Sequence, residues 1–103
     1  LIASCFAKGK TKLRNCASEP EIHDLISFLR KIGCKIQWNG KRSIDVTGVD
    51  ELKSTTHKVI FDRIEAGTYI IASALTDGLL KITTQVAPFL TEVTRAILSN
   101  RVV

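Results

Sequence analysis

The stretch Val59-Ile60-Phe61-Asp62-Arg63-Ile64-Glu65-Ala66-Gly67-Thr68-Tyr69 constrains the fold of this chain more than any other. An apolar, β-branched run stops abruptly at an acidic residue, and helical sequence begins. Asp62 suits the N-cap, and Glu65, three residues on, completes a capping box. Gly67 leaves a bare strip on the helix where another element can pack close. Strand, acidic cap and helix in immediate succession point to mixed α and β structure, in which ligands gather where a strand gives way to a helix start. An ordinary, purely structural cap satisfies the same pattern.

The rest of the chain alternates in the same way. Leu1 to Ala7 is apolar on every side and reads as the end of an interior helix closed by Gly9. Lys10 to Asn15 alternates, with Thr11 and Leu13 on one face and Lys12 and Arg14 on the other, which predicts a half-buried strand. Ser18-Glu19-Pro20-Glu21 forms a second capping box with proline in the first helical turn. Ile22, Leu25, Leu29 and Ile32 make the buried stripe of that helix, His23, Asp24, Arg30 and Lys31 face water, and Gly33 ends it.

Cys34 to Trp38 and Ser43 to Thr47 are short strands around Asn39-Gly40. A three-residue loop, Asn39 to Lys41, pairs Ile36 with Ile44 and Cys34 with Val46, keeping the apolar side chains together. Trp38 then opposes Arg42, within reach of a cation–π contact. Gly48 to Thr56 is a polar connection, and His57 to Phe61 a strand. The helix from Asp62 runs to about Thr76 and is closed by Gly78. A strand over Leu79 to Thr84 and a helix over Pro88 to Ser99, with Leu90, Val93 and Ile97 inward, complete the pattern.

Length and composition narrow the function classes. At 103 residues there is room for one small domain or two partial ones. With 45% hydrophobic and 24% charged residues the composition is that of a globular chain. No apolar run approaches the roughly 20 residues that span a bilayer. The chain starts at Leu1 with no basic region ahead of its apolar run, so it reads as a piece of something longer rather than as a secretory leader. The net charge of +5 comes from lysines and arginines spread over several elements with little aromatic interleaving, which suits a solvated basic face better than a nucleic-acid surface. Cys5, Cys16 and Cys34 have neither C-x-x-C nor metal-ligand spacing. Their odd number fits a reducing compartment, and Cys5 and Cys34 are expected to be buried small hydrophobes.

A shift of 69 residues lays Leu1-Ile2-Ala3-Ser4 on Ile70-Ile71-Ala72-Ser73, Gly9 on Gly78 and Lys12 on Lys81. With one residue deleted, Ile22, Leu25 and Leu29 fall on Leu90, Val93 and Ile97. Both copies read helix, glycine, strand, helix, strand, as expected of one supersecondary unit used more than once.

Three blocks of residues carry a family resemblance. Asn15-Cys16-Ala17-Ser18-Glu19-Pro20-Glu21-Ile22-His23-Asp24-Leu25, Gly33-Cys34-Lys35-Ile36 and Asp62-Arg63-Ile64-Glu65-Ala66-Gly67-Thr68 resemble the enolpyruvyl transferases that act on UDP-N-acetylglucosamine. The likeness runs along essentially the whole chain, which would be about a quarter of such an enzyme. The D-R-I-E-x-G-T block is the most specific part. Departures are Ala66 where the family usually has threonine, Ser18 where it has a basic residue, and Cys16 where it has a small one.

The resemblance implies an α+β fold of βαβαββ units in an inside-out α/β barrel, with helices buried and sheets outside. It implies that residues 1–61 finish one domain and residues 62–103 resume the other, with the chain crossing near Phe61–Asp62. The cleft between the domains would take UDP-N-acetylglucosamine and phosphoenolpyruvate, and the enolpyruvyl group would pass to the sugar 3-hydroxyl with loss of phosphate. That chemistry needs a general acid, a general base and cationic clamps for phosphate. The family's reactive cysteine, lysine–asparagine pair, clamping arginines and presumed base match no position here, so no residue of this chain is expected to be catalytic. Glu19, Asp62, Arg63 and Glu65 match motif positions near the cleft and are expected to support it. No cofactor, metal, nucleic acid or membrane is implied, and the location would be the bacterial cytoplasm. The competing reading is a stand-alone basic βαβ-type module that binds RNA or another polyanion. The sister enzyme acting on shikimate 3-phosphate shares the fold, but the D-R-I-E-x-G-T block argues against it.

Overall fold

The computed structural model describes residues 1–76 and 78–82, in two compact units, Leu1–Val59 and Ile60–Val103. The first holds strand β1 (Lys10–Arg14), helix α1 (Pro20–Lys31) and strands β2 (Lys35–Trp38) and β3 (Ser43–Thr47); the second holds helix α2 (Arg63–Leu75). The expected helix over Pro88 to Ser99, and with it the second copy of the repeat beyond Ile82, lies outside the described residues.

In the first unit the sheet order is β1-β3-β2, and β3 is antiparallel to both neighbours. β1 and β2 therefore run in the same direction, with α1 as the crossover and β3 inserted between them, a split βαβ arrangement. Alternation decides the faces. Thr11, Val46 and Ile36 form one cross-strand row and Leu13, Ile44 and Trp38 the next. Ile36, Ile44 and Val46 are buried in one core with Ile26 and Leu29 of α1, and Cys5 and Cys34 complete it. Each fully buried aliphatic side chain contributes about 1.5–3 kcal/mol.

α1 begins with Pro20 at its first position, where the missing N–H costs nothing. It ends in a Schellman motif. The amide of Cys34 donates to the Leu29 carbonyl (2.9 Å) and that of Gly33 to Arg30 (3.0 Å), with Gly33 at φ +108°. The cap is displaced from its expected place. Glu19, not Ser18, is the N-cap residue, and its side chain makes no capping hydrogen bond. Proline at the first position fixes the entry one residue later than the serine. The inward stripe also differs, because Ile26 is the most deeply buried residue of α1, while Ile22, Leu25 and Ile32 are half-buried.

Other expectations change as well. Leu1 to Ala7 forms a single 3₁₀ turn, Ala3–Cys5, rather than the end of an α-helix, and it is not buried all round. Ser4 and Cys5 point inward while Ile2 and Phe6 are exposed. The turn closes through Cys5 N–H to the Ile2 carbonyl (3.0 Å) and Ser4 Oγ to the Leu1 carbonyl (2.6 Å). The hairpin pairs Trp38 with Ile44 and Ile36 with Val46, two residues from the expected register, so the loop is Asn39 to Arg42. A shift of two preserves which side chains face inward, so alternation could not detect it. Arg42 is accordingly not against Trp38. Its Nε donates to the Cys16 carbonyl (3.0 Å), and Trp38 stacks on His23 with centroids 4.8 Å apart.

His57 to Val59 is not a strand, and neither are Ile60 and Phe61. No described edge pairs with them; His57 instead turns its ring onto α1. Leu79 to Ile82 is likewise irregular in the second unit. Gly48 is held where a side chain would overlap the carbonyl of Ala7. Its amide donates to the Gly9 carbonyl (3.0 Å), tying the end of β3 to the start of β1. Among the described residues no helix is long and apolar enough to cross a membrane.

Candidate functional site

The start of α2 carries the capping chemistry that its sequence calls for. Asp62 has extended backbone (φ −78°, ψ 104°), and its Oδ1 accepts from the amides of Ile64 (2.9 Å) and Glu65 (3.0 Å). Two otherwise orphaned N–H groups are thereby satisfied. Of the expected capping box, the structure shows the Asp62 half. Ala66 and Gly67 are both buried, which fits the bare strip expected at Gly67. The helix closes where predicted, with the Gly78 amide donating to the Ser73 carbonyl (3.0 Å).

Asp62, Glu65 and Tyr69 succeed one another at helical spacing and so share one side of α2. They line an open groove of about 400 Å³ with Phe61, Leu80 and Lys81. Two carboxylates, a phenol and an ammonium above an apolar floor suit a ligand rich in hydroxyls and amides. Asp62 spends Oδ1 on the cap.

The four expected site residues are thus divided. Asp62 and Glu65 come together in the groove. Arg63, next in sequence, is half-buried and not part of the groove lining. Glu19 belongs to the first unit, exposed at the head of α1, where its carbonyl accepts from Ile22 (3.0 Å) and His23 (3.3 Å).

A polar cluster in the first unit was not anticipated from the sequence. His57 Nε2 lies 3.1 Å from Asp24 Oδ1 and Nδ1 lies 3.3 Å from Lys31 Nζ, with Phe28 edge-on at 5.5 Å. Lysine can only donate, so Nδ1 accepts and the Nε2–H donates to Asp24. The His57 side chain is only 8% exposed. Asp24, Phe28 and Lys31 stand at i, i+4 and i+7 on α1, and that stripe was the legible signal; its distant partner was not.

The cysteines are free, with Cys5 and Cys34 buried as expected and Cys16 half-buried. Burial pushes the Cys5 thiol up to about 11, aided by its hydrogen bond with Cys34, so it is no nucleophile at neutral pH. Among the described residues no group of three or more His, Cys, Asp or Glu side chains is placed to hold a metal ion.

Comparison with known proteins decides the family. The family model described as EPSP synthase (3-phosphoshikimate 1-carboxyvinyltransferase) matches residues 1–100. The chain belongs to this family. Similar proteins carry the name UDP-N-acetylglucosamine 1-carboxyvinyltransferase. The one from Pelagibacter ubique is 59% identical over 83 residues, which is 81% of this chain and 20% of that protein. The Prochlorococcus marinus protein is 46% identical over 94 residues, covering 91% of this chain and 21% of its own length. The Gluconacetobacter diazotrophicus protein is 44% identical over 97 residues, covering 94% and 23%. The chain therefore spans about a fifth of the length of the relatives it matches.

Proposed function

We propose that this chain is part of an enzyme transferring the enolpyruvyl group of phosphoenolpyruvate to the 3-hydroxyl of UDP-N-acetylglucosamine, releasing phosphate, in bacterial peptidoglycan synthesis. The observation that carries the reading is the name shared by relatives as much as 59% identical. The family model is described by the reaction on shikimate 3-phosphate, but these relatives are named for the nucleotide sugar. The reacting groups lie in the rest of the protein, so this chain alone is inactive. The location is the cytoplasm.

In this proposal the complete protein is an inside-out barrel, and the chain crosses from one domain to the other near Phe61–Asp62. The break between compact units at Val59 and Ile60 supports a crossing there. The arrangement of the first unit, with α1 on one face of the sheet and lysines on the other, suits sheets turned outward. Asp62 and Glu65 would face the shared cleft. Asp62 would hold the head of α2 with Oδ1 and accept a substrate hydroxyl or amide with Oδ2. Glu65 would add a second acceptor, and Arg63 and Glu19 would brace the cleft without touching the reacting atoms.

The experiment is a pair of variants in the whole protein. Asparagine caps a helix about as well as aspartate. Asp62→Asn should therefore keep thermal stability and lower kcat/KM, whereas Asp62→Ala should lower both. Unchanged kinetics in Asp62→Asn would reduce Asp62 to a structural cap.

A further inference from the structure

The sheet face turned away from α1 is charged, and its shape follows from the register. Lys10 and Lys35 flank Thr47 in one cross-strand row, and Lys12 and Gln37 flank Asp45 in the next. The central strand thus carries short side chains between two walls of long ones. The result is a trough of about 510 Å³. Lys10, Lys12, Arg14 and Lys35 contribute four cations to this face against the single Asp45, so the register gathers charges that are scattered in the sequence.

We infer that the Lys10–Thr47–Lys35 end of the trough binds a small oligophosphate. Two strand spacings place the Lys10 and Lys35 backbones about 10 Å apart, so their flexible ammonium groups can close on one phosphate group above the Thr47 hydroxyl, which donates to it. Lysine binds phosphate as a compact point charge and needs no rigid fork. Asp45, about 7 Å further along β3, accepts from the Asn39 amide (3.2 Å) and repels anions from the other end. That asymmetry selects the Thr47 end. Lys12 and Arg14 continue the positive row along the β1 edge. A second, linked phosphate therefore lies along β1 rather than over Asp45 on the central strand, which favours linked phosphates over a lone one. The face carries no aromatic side chain, because Trp38 points to the other side and stacks on His23. A nucleic-acid base would find nothing to stack on, so the phosphates alone are recognised. The site lies in the first unit and does not depend on the reading of the groove at Asp62.

Lysine footprinting on the whole protein tests this, with inorganic pyrophosphate as the probe and acetylation of each lysine read by mass spectrometry. Pyrophosphate should slow acetylation of Lys10 and Lys35 about threefold or more, as expected for charge-assisted contacts, and leave Lys41 in the β2–β3 loop unchanged. Lys35→Ala should remove the protection of Lys10, since both ammonium groups hold the same ion. Two further arms use orthophosphate and uridine diphosphate. Equal protection by the nucleotide and by pyrophosphate is expected, since only the phosphates are recognised, and protection by the nucleotide at lower concentration would overturn that. Orthophosphate should protect only at higher concentration, and equal protection by it would overturn the preference for linked phosphates. Acetylation of Lys10 and Lys35 at unchanged rates, or slowed only as much as Lys41, would overturn the site and leave these lysines as guards of exposed strands. Neither result bears on enolpyruvyl transfer.

Discussion

Single residues set several limits that are sharp enough to test. Gly48 sits where a Cβ would overlap the Ala7 carbonyl, a backbone atom that cannot swing aside. Gly48→Ala should therefore cost about 1–3 kcal/mol or more in denaturant unfolding. Gly40→Ala meets open space and suffers only from its φ of +87°, for a cost of about 1 kcal/mol. Cys5 gives a pH signature. Its thiol is held protonated by burial and by Cys34 up to about 11, whereas in the unfolded chain it ionises nearer its ordinary value. Between those two values the unfolded state binds fewer protons, so stability is full below the lower one and falls as pH rises towards the upper. Thermal melts across that alkaline range should show the decline, and Cys5→Ala should flatten it. The Asp62 cap could be read directly from sequence because a short acidic side chain just before a helical run bonds the backbone amides two and three positions on, whatever side chains those residues carry. Ser18 misled because the proline two residues later overrode it.

At the scale of elements, what could be read were the local patterns. The alternation in β1, the span of β3, the glycine stop of α1 and the boundaries of α2 all rest on neighbours in the chain. The misjudged features rest on distant ones. The hairpin register moved by two because either register keeps Ile36, Ile44 and Val46 inward, and the Cys16–Arg42 backbone and side-chain bonds lie outside any local pattern. His57 to Phe61 has strand-forming residues but pairs with no edge among the described residues, and His57 is taken by Asp24 and Lys31 instead. The stripe expected on α1 left out Ile26, the deepest residue, although Leu29 is buried and Ile22, Leu25 and Ile32 pack half-buried against the core. That difference has an energetic consequence. Ile26, only 1% exposed against the sheet, should lose about 2–5 kcal/mol on truncation to alanine. The half-buried Ile22 should lose clearly less, as measured by urea midpoints at constant m. Equal losses would place the core differently.

For the whole molecule, family membership was legible because D-R-I-E-x-G-T couples a cap, a helix and a glycine in one short block. The structure adds that this block shapes a groove with Asp62 and Glu65 on one side of α2, and that Arg63 faces elsewhere. Glu19, legible as a motif position, stands in the other compact unit, at the head of α1. The scattered basic charge acquires a location only through the β1-β3-β2 register. The central claim concerns the substrate. Phosphate release from phosphoenolpyruvate by the whole protein, measured separately with UDP-N-acetylglucosamine and with shikimate 3-phosphate, tests it most directly. Release that depends on UDP-N-acetylglucosamine and is absent with shikimate 3-phosphate is the predicted result; the reverse preference, or no release with either, would contradict it.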